Sequence, residues 1–331
     1  MSETEEKNEK TEELTEFSDF SEKSQEFNYN DYELSESFEE ILKQNSPSGY
    51  KFKNIGSGAF SNTLKIHKKD DKQNYVLKIN SKNDKENIVG EKIYANKQIA
   101  SSNLVKTLYC SNTCKNVVME YFNGKGNLKY LLTMEEISQK RYFNRYNFVL
   151  DILNGLKKLE ENNLIHNDIK SANIVFNKNT NGSFTFAICD FGLVNEVKEN
   201  FNLKVCGTLR YMSPEKIISE RDKKQQKTNN ISSDIWSAGV LFFEIMTDNE
   251  IYQFTKNIRD KIELGVNNTE IQKYINFAIN RYTKNQFKTF KPLLISMLKV
   301  NPEERLTTDE CLKLANQLNP SKGSTDQEIT L

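Results

Sequence analysis

The segment "HNDIKSAN", residues 166–173, combines side chains that could carry phosphoryl-transfer chemistry. Asp168 can accept a hydrogen bond from a substrate hydroxyl and orient that hydroxyl for attack. Lys170, two residues later, can neutralise negative charge on a phosphoryl group during its transfer. Asn173 offers a neutral oxygen that suits a hard cation such as Mg²⁺, and Asp190 of "CDFG" offers a carboxylate for the same metal.

A second group of chemical interest lies upstream, in a region with strand-like sequences. The glycine-containing stretch "IGSGAFSNT", residues 55–63, lies between two such runs, so its backbone N–H groups could approach phosphate oxygens. Lys78 ends the apolar "YVLK", and a buried lysine needs a partner because an unpaired ammonium group is costly to bury. Glu91, in "ENIVGEKIYANKQI", is the favoured partner, and Glu86 is the alternative.

The order of these elements, followed by "SPE", resembles that of a eukaryotic-type protein kinase with a His-Asn-Asp catalytic loop. The resemblance covers residues 49–318. It implies an α+β, two-lobed fold with ATP in the cleft between the lobes. The small lobe, residues 49–122, would be a five-stranded antiparallel sheet with one helix. The large lobe, residues 123–318, would be mainly α-helical, which agrees with the helical apolar spacing that begins near residue 127.

The resemblance also implies a role for individual residues. The catalytic set would be Asp168, Lys170, Lys78, Glu91 and Thr208, with Asn173 and Asp190 as metal ligands. The nucleotide would contact a glycine loop, an adenine pocket with Met119 as gatekeeper, and the hinge backbone: Ile55, Gly56, Ser57, Gly58, Ala59, Phe60, Ser61, Asn62, Thr63, Val76, Lys78, Met119, Glu120, Phe122 and Val175. Outside the cleft, Asp234 would hold the catalytic loop from below, and Arg305 would pair with Glu215.

The expected function is that of a non-specific serine/threonine protein kinase that uses ATP and Mg²⁺. Lys170 together with Gly207 and Thr208 resembles the serine/threonine branch, although dual specificity stays open. Two alternatives are a pseudokinase scaffold and a small-molecule kinase of similar fold. The complete set of Lys78, Asp168 and both metal ligands argues against the scaffold, and "GTLRYMSPE" resembles a peptide-docking segment.

Three positions depart from the family pattern in the small lobe. Ser61 replaces the third glycine of the phosphate loop, and Val76 replaces the usual alanine above adenine. Ala95 is small where a larger apolar residue usually stacks between Glu91 and Phe191. We therefore expect a weakly seated Glu91 helix, which a regulatory partner or the N-terminal segment could stabilise.

Asn167 is the fourth departure, and it bears on regulation. In kinases with His-Arg-Asp, the arginine pairs with a phosphate on the activation loop. Asn167 cannot form that charge pair, and residues 193–207 contain no Ser, Thr or Tyr. Lys204 occupies the position where relatives with Cys-Gly-Thr often carry the phosphorylated residue. We therefore predict activity without loop phosphorylation, with Lys204 bonded to an acid such as Glu196.

Composition limits the remaining classes of function. The net charge of zero hides a split, because residues 1–45 carry 15 acidic and 4 basic side chains and the rest of the chain carries an excess of 11 basic ones. Residues 1–48 are predicted to be a largely disordered acidic arm, with a short helix at 31–45, and residues 319–331 a C-terminal tail. The arm could fold back on the basic body. We expect protein substrates, no nucleic-acid partner and no membrane span.

The cysteines point to a reducing compartment. The five cysteines are scattered, and no secretory signal precedes them, so free thiols and an intracellular location in cytoplasm or nucleus are expected. Cys189, next to Asp190, is a candidate for modification by an electrophile in the ATP cleft; an inert half-buried thiol is the alternative.

Overall fold

The computed structural model describes residues 50–57, 61–68, 74–80, 85–111, 115–124, 126–133, 144–197, 206–222, 230–247 and 250–318. Several predictions from the sequence concern residues outside these ranges. They are the acidic arm at 1–48 with its helix at 31–45, the tail at 319–331, the loop residues Gly58, Ala59 and Phe60, and the predicted contact of Lys204.

The N-terminal part is built on a five-stranded antiparallel sheet with one helix, as predicted. The strands are β1 (Tyr50–Ser57), β2 (Ser61–Lys68), β3 (Asn74–Asn80), β4 (Thr107–Cys110) and β5 (Asn116–Glu120), and their spatial order is β1-β2-β3-β5-β4. Helix α1 (Lys85–Lys97) connects β3 to β4 and packs beside β4.

Side chains alternate along β3 and thereby divide the sheet into two faces. Leu77 packs with Leu64 and Ile66 on one face, and all three are buried. Val76 packs against the main hydrophobic core on the other face, and Lys78, two residues further along the strand, is buried. The two-residue period therefore places Val76 and Lys78 on the same side of the sheet.

The C-terminal part is mainly helical. Helix α2 spans Leu128–Thr133 and α3 spans Arg145–Glu161, followed by α4 (Pro214–Asp222), α5 (Ile231–Met246), α6 (Ile251–Glu263), α7 (Asn268–Tyr282), α8 (Lys291–Met297) and α9 (Thr308–Gln317). Helix α5 is the central one, and its aromatic residues Trp236, Phe242 and Phe243 are buried. Side-chain caps fix two helix starts: Asn144 accepts from Tyr146 N, and Asn230 accepts from Ser233 N. No helix among the described residues is long and apolar enough to cross a membrane.

Four short strands bring the two candidate catalytic segments together. Strand β6 (Leu164–Ile165) pairs with β9 (Asn195–Glu196), and β7 (Ile174–Lys178) pairs with β8 (Phe184–Ile188), both antiparallel. The segment 166–173 connects β6 to β7, and the segment 189–194 connects β8 to β9. Because both connections begin and end on paired strands, they are held side by side.

The expectation of free thiols is wrong at Cys110. Cys110, the last residue of β4, is disulfide-bonded. Cys189 and Cys311 are free cysteines, as the sequence predicts.

Candidate active site

The carboxylate of Asp168 is fixed by donors from three directions. Its Oδ1 accepts hydrogen bonds from Thr208 N at 2.9 Å and Thr208 Oγ1 at 2.7 Å. Its Oδ2 lies 2.9 Å from Lys170 Nζ and accepts from Asn173 Nδ2 at 3.0 Å. Lys170 Nζ also donates to Thr208 Oγ1 at 2.9 Å. The four residues therefore form one connected network around a carboxylate that is only 8% exposed.

The backbone of the catalytic loop is held from below by a buried aspartate. Asp234, in the first turn of α5, accepts from His166 N at 2.6 Å and from Asn167 N at 2.9 Å. Burial raises the pKa of Asp234, while the positive charge of Lys216 and the two backbone donors act in the opposite direction. Asp234 therefore occupies the place that the kinase resemblance implies for it.

His166 joins the catalytic loop to the segment that carries Asp190. Its Nδ1 accepts from Asp168 N at 3.2 Å, which leaves Nε2 to donate to Cys189 O at 3.1 Å. The imidazole also makes an edge contact with Phe191, with ring centroids 5.6 Å apart. The side chain of His166 thus contacts both segments.

Lys78 lies between two carboxylates. Its Nζ donates to Glu91 Oε1 at 2.8 Å and to Asp190 Oδ1 at 2.6 Å. Burial alone would lower the pKa of Lys78, but Glu91 and Asp190 outweigh burial, so the pKa is raised and the ammonium stays charged. Partial desolvation by the surrounding protein disfavours the charge on Asp190, but the charge of Lys78 outweighs this effect and lowers the pKa of that carboxyl group. Burial raises the pKa of Glu91. The favoured partner of Lys78, Glu91, is thus in contact with it.

The donor set suits a magnesium nucleotide. The amide NH₂ of Asn173 donates to Asp168 O at 2.9 Å and to Asp168 Oδ2, which leaves the amide oxygen as the group offered to a cation. Asp190 is an ionised carboxylate with its side chain 44% exposed. An amide oxygen, a carboxylate and a lysine fit a hard cation and the phosphates that it accompanies.

The structure brings the described residues of the predicted nucleotide pocket to the same part of the molecule. Ile55, Gly56 and Ser57 end β1, and Ser61, Asn62 and Thr63 begin β2, the next strand. Val76 pairs with Met119 across β3 and β5, and Met119 is part of the hydrophobic core against which Val76 and Val175 pack. Glu120 ends β5, and Phe122 follows it.

One contact that seats α1 was predicted on the wrong residue. The ring of Tyr94, not the side chain of Ala95, stacks on Phe191. Tyr94 OH also donates to Val105 O at 3.0 Å. Helix α1 is therefore anchored by a large aromatic side chain, and the inference of a weakly seated helix fails. Tyr94 and Ala95 lie three and four positions after Glu91 and so share its helix face, which means that the spacing alone does not choose between them.

Glu196 also has a contact that the sequence did not predict. Glu196 of β9 forms an ion pair with Lys97, the last residue of α1, at 3.1 Å. The bond joins the helix that carries Glu91 to the strand that follows Asp190. No sequence pattern predicts this ion pair, because the two residues are far apart in the chain.

Cys189 does not have the properties of a reactive thiol. Burial, followed by the negative charge of Asp190, raises the pKa of Cys189. The thiolate is the nucleophile, so a raised pKa suppresses reaction with electrophiles. The alternative of an inert, half-buried cysteine therefore describes Cys189 better.

The predicted pair between Arg305 and Glu215 is present, and it is bidentate. Arg305 NH1 and NH2 donate to the two carboxylate oxygens of Glu215 at 2.8 and 2.6 Å. The Arg305 side chain is fully buried. The pair ties the start of α4 to the segment that precedes α9, so the end of the segment that carries Thr208 is fixed to the large lobe.

Comparisons with known proteins agree with this geometry. The family model for the protein kinase domain matches residues 50–315. The serine/threonine-protein kinase DCLK3 of Mus musculus is 28% identical over 264 residues, which are 78% of this chain and 31% of that protein. Calcium-dependent protein kinase 6 of Plasmodium berghei is 30% identical over 221 residues, which are 65% of this chain and 14% of that protein.

The chain thus spans less than a third of the length of these two relatives. Among solved structures, one of the CAK complex from Chaetomium thermophilum bound to ATP-gamma-S matches with a TM-score of 0.61 at 19% identity. The match covers 84% of this chain and 92% of the matched chain, and it shows a shared fold. Since the family model covers most of the sequence, this chain belongs to the protein kinase domain family.

Proposed function

We propose that this chain is a protein serine/threonine kinase that transfers the γ-phosphoryl group of ATP, with Mg²⁺, to Ser and Thr hydroxyls of proteins. The observation that carries this proposal is the network around Asp168, in which Thr208, Lys170 and Asn173 fix the carboxylate in one orientation. A carboxylate held in this way can position a hydroxyl for attack.

Each residue of the site has a distinct task in this proposal. Asp168 accepts a hydrogen bond from the acceptor hydroxyl, and Lys170 places positive charge beside it. Lys78, fixed by Glu91, would hold the nucleotide phosphates, while Asn173 and Asp190 would hold the metal. MgATP supplies, when bound, the phosphoryl group and a positive charge that neutralises its oxygens.

Serine/threonine specificity is supported by the contact of Lys170 with Thr208, which the resemblance associates with that branch. Several relatives are named as serine/threonine-protein kinases. One of them is the meiosis-specific serine/threonine-protein kinase mek1 of Schizosaccharomyces pombe, which is 28% identical over 169 residues. Dual specificity and a scaffold role are the alternative hypotheses to this function. The connected positions of Lys78, Asp190, Asp168 and Asn173 favour an enzyme over a scaffold, because binding a partner needs none of these contacts.

The proposal includes activity without phosphorylation of the activation loop. Asn167 carries no charge, and its side-chain amide is engaged by protein groups, since Nδ2 donates to Leu193 O at 2.9 Å and Oδ1 accepts from Lys216 Nζ at 2.9 Å. Both described ends of the loop are held by protein contacts. One end pairs as β9 with β6, and the other places Thr208 on Asp168. These contacts support a loop whose ends are ordered by the protein alone.

The test is an assay of the purified full chain with labelled ATP and Mg²⁺, a generic protein substrate and a panel of metabolites. We expect phosphoserine and phosphothreonine in the protein substrate, no labelled metabolite, and no label when Asp168→Asn replaces the wild type. ATP binding without any transfer would favour the scaffold, phosphotyrosine would show dual specificity, and a labelled metabolite would show a small-molecule kinase.

A further inference from the structure

Asn167 lies at a junction between the catalytic loop and three other segments. It has a left-handed backbone with φ of 68°, which asparagine tolerates better than most residues. Its N–H donates to Asp234 on α5, and its Nδ2 donates to Leu193 beyond Asp190. The residue is 5% exposed. The remaining polar atom of the side chain, Oδ1, is the one that meets Lys216.

Lys216 is, with Lys78, a buried lysine among the residues that the structure describes. It lies in the first turn of α4, directly after Glu215, and only 3% of the residue is exposed. Its Nζ donates to Asn167 Oδ1 at 2.9 Å. Among the described residues no carboxylate forms a salt bridge with Lys216. Burying an ammonium group costs free energy unless nearby groups compensate its charge. The compensation for Lys216 must therefore come from charges that lie around it.

Asp234 supplies the compensating charge without direct contact. Its carboxylate binds the N–H groups of His166 and Asn167, and the charge of Lys216 favours its ionised form. The backbone beside Asp168 therefore lies between a buried anion and a buried cation. An arginine at position 167 would remove the oxygen that accepts from Lys216 and add a second positive charge near it, whereas asparagine is neutral and supplies an acceptor.

The same segment contacts the catalytic loop at two further points. Thr208 binds the carboxylate of Asp168. Gly207, with φ of 115°, packs so closely on the carbonyl of Asn167 that any side chain there would overlap it. The contact of Lys216 with Asn167 thus adds to those that Gly207 and Thr208 make with the catalytic loop. It holds the α4 end of this segment against that loop.

We propose that Lys216 is a positioning residue of this kinase, which clamps the end of the activation segment onto the catalytic loop through Asn167 and replaces the link that a loop phosphate and an arginine would form. This inference rests on the proposed kinase function and names the part of the chain that makes phosphorylation unnecessary. Lys216 acts through Asn167 on the orientation of Asp168 and touches neither nucleotide nor substrate.

The first test is Lys216→Met, which keeps an unbranched chain of similar length and removes the charge and the donor. We expect kcat to fall about tenfold, with the KM for ATP changed less than about twofold, because Lys78 and Asp190 do not contact Lys216. The matched control is Lys273→Met, the same change at an exposed lysine of α7, which should leave both constants unchanged. Unchanged kcat in Lys216→Met, or a loss equal to that of the control, would overturn the proposal.

A second measurement does not depend on activity. Amide hydrogen exchange of the peptides covering 206–217 and 164–170 should be faster in Lys216→Met than in the wild type, and unaltered by Lys273→Met. If the wild type proves inactive while this exchange difference is present, the proposed function fails and the clamp stands. Unaltered exchange in an active enzyme refutes the clamp and leaves the proposed function in place.

A double substitution tests the charge argument and covers the case in which one variant is poorly folded. Asn167→Arg should lower the midpoint of urea unfolding, because two cations then meet in a buried site. Adding Lys216→Met to Asn167→Arg should raise the midpoint again, so that the two changes couple. Simply additive effects would contradict the pairing of Asn167 with Lys216.

Discussion

The ring of Tyr94 on α1 lies flat against the ring of Phe191, with ring centroids 3.4 Å apart and an angle of 10° between the planes. The stack joins the helix that carries Glu91 to the residue that follows Asp190. Stacked aromatic pairs contribute about 1 kcal/mol beyond the area that they bury. Lys78 donates hydrogen bonds to both Glu91 and Asp190. The stack therefore also fixes the distance between these two carboxylates.

Gly90 also allows α1 to pack closely against the Asp-Phe-Gly segment. It is the subject of the first prediction. A methyl group at Gly90 would overlap the backbone carbonyl of Gly192, so helix and Asp-Phe-Gly segment can approach only because Gly90 has no side chain. Gly90→Ala should displace α1 and lower kcat at least about tenfold, although alanine favours a helix by about 1 kcal/mol over glycine.

The measurement for Gly90→Ala is steady-state kinetics together with thermal unfolding. Asn96→Ala, at an exposed position of the same helix, is the control and should keep full activity. An active Gly90→Ala enzyme would show that α1 is not held by this contact.

The second prediction concerns the two residues at the centre of the site. Asp168→Asn should lower kcat on the order of a thousandfold and keep the fold, because the amide oxygen can still accept from Thr208. Lys78→Met should abolish transfer and also cost about 3 kcal/mol in unfolding free energy, since it leaves Glu91 buried without its cation.

Urea unfolding separates the two effects of Lys78→Met. Adding Glu91→Gln should recover most of the lost stability but none of the activity. If Lys78→Met unfolds at the wild-type midpoint, the pair with Glu91 contributes little. Near-wild-type turnover of either single variant would refute the role assigned to that residue.

The contacts that could be predicted from the sequence are those between residues that belong to recognisable motifs. The pair of Lys78 with Glu91 was inferred from the residues themselves. The resemblance implied that Thr208 belongs to the catalytic set with Asp168 and that Arg305 pairs with Glu215. The structure places each of these pairs in contact. The five-stranded sheet was implied by the resemblance, and the helical part was also indicated by the apolar spacing.

The contacts that the sequence did not reveal depend on rotation and burial. Whether Tyr94 or Ala95 meets Phe191 depends on the rotation of α1 about its axis, and the apolar pattern of "ENIVGEKIYANKQI" leaves it open. Lys216 in "SPEK" has the composition of an exposed helix start, and only the fold shows that it is buried. The role of Gly90 likewise arises from a close approach of two backbone segments that are distant in the chain.

The third prediction concerns the reactivity of Cys189. Because burial raises the pKa of its thiol, Cys189 should remain unlabelled by iodoacetamide near pH 8 in the folded protein, with or without ATP. The same cysteine should be labelled fully after unfolding in urea. Rapid labelling in the folded protein that ATP prevents would restore Cys189 as a reactive residue of the cleft.

The fourth prediction is a loss of stability in alkali. Burial, followed by nearby carboxylates, raises the pKa of Tyr94 and of Tyr211 in the folded protein, whereas unfolded tyrosine ionises near pH 10. Below about pH 10 both the folded and the unfolded protein keep these protons, so the two tyrosines do not reduce the free energy of unfolding. Above it only the unfolded state loses them, so stability falls by about 1.4 kcal/mol per pH unit for each tyrosine.

Tyr94→Phe tests this dependence. The variant keeps the stack on Phe191 and removes the ionisable group, so its unfolding free energy should fall less steeply above about pH 10 than that of the wild type. Unfolding by urea at several alkaline pH values gives both slopes. Equal slopes would mean that Tyr94 ionises in the folded state as readily as in the unfolded chain.

The most direct test of the account is whether the purified kinase needs phosphate on its activation loop. The enzyme is treated with a broad-specificity phosphatase, the phosphatase is removed, and turnover of a protein substrate is compared with that of untreated enzyme. Because Asn167 is bonded to Lys216 and Thr208 to Asp168 by protein groups alone, turnover should be unchanged. A large loss of turnover, traced by mass spectrometry to a phosphate within residues 193–211, would contradict the account.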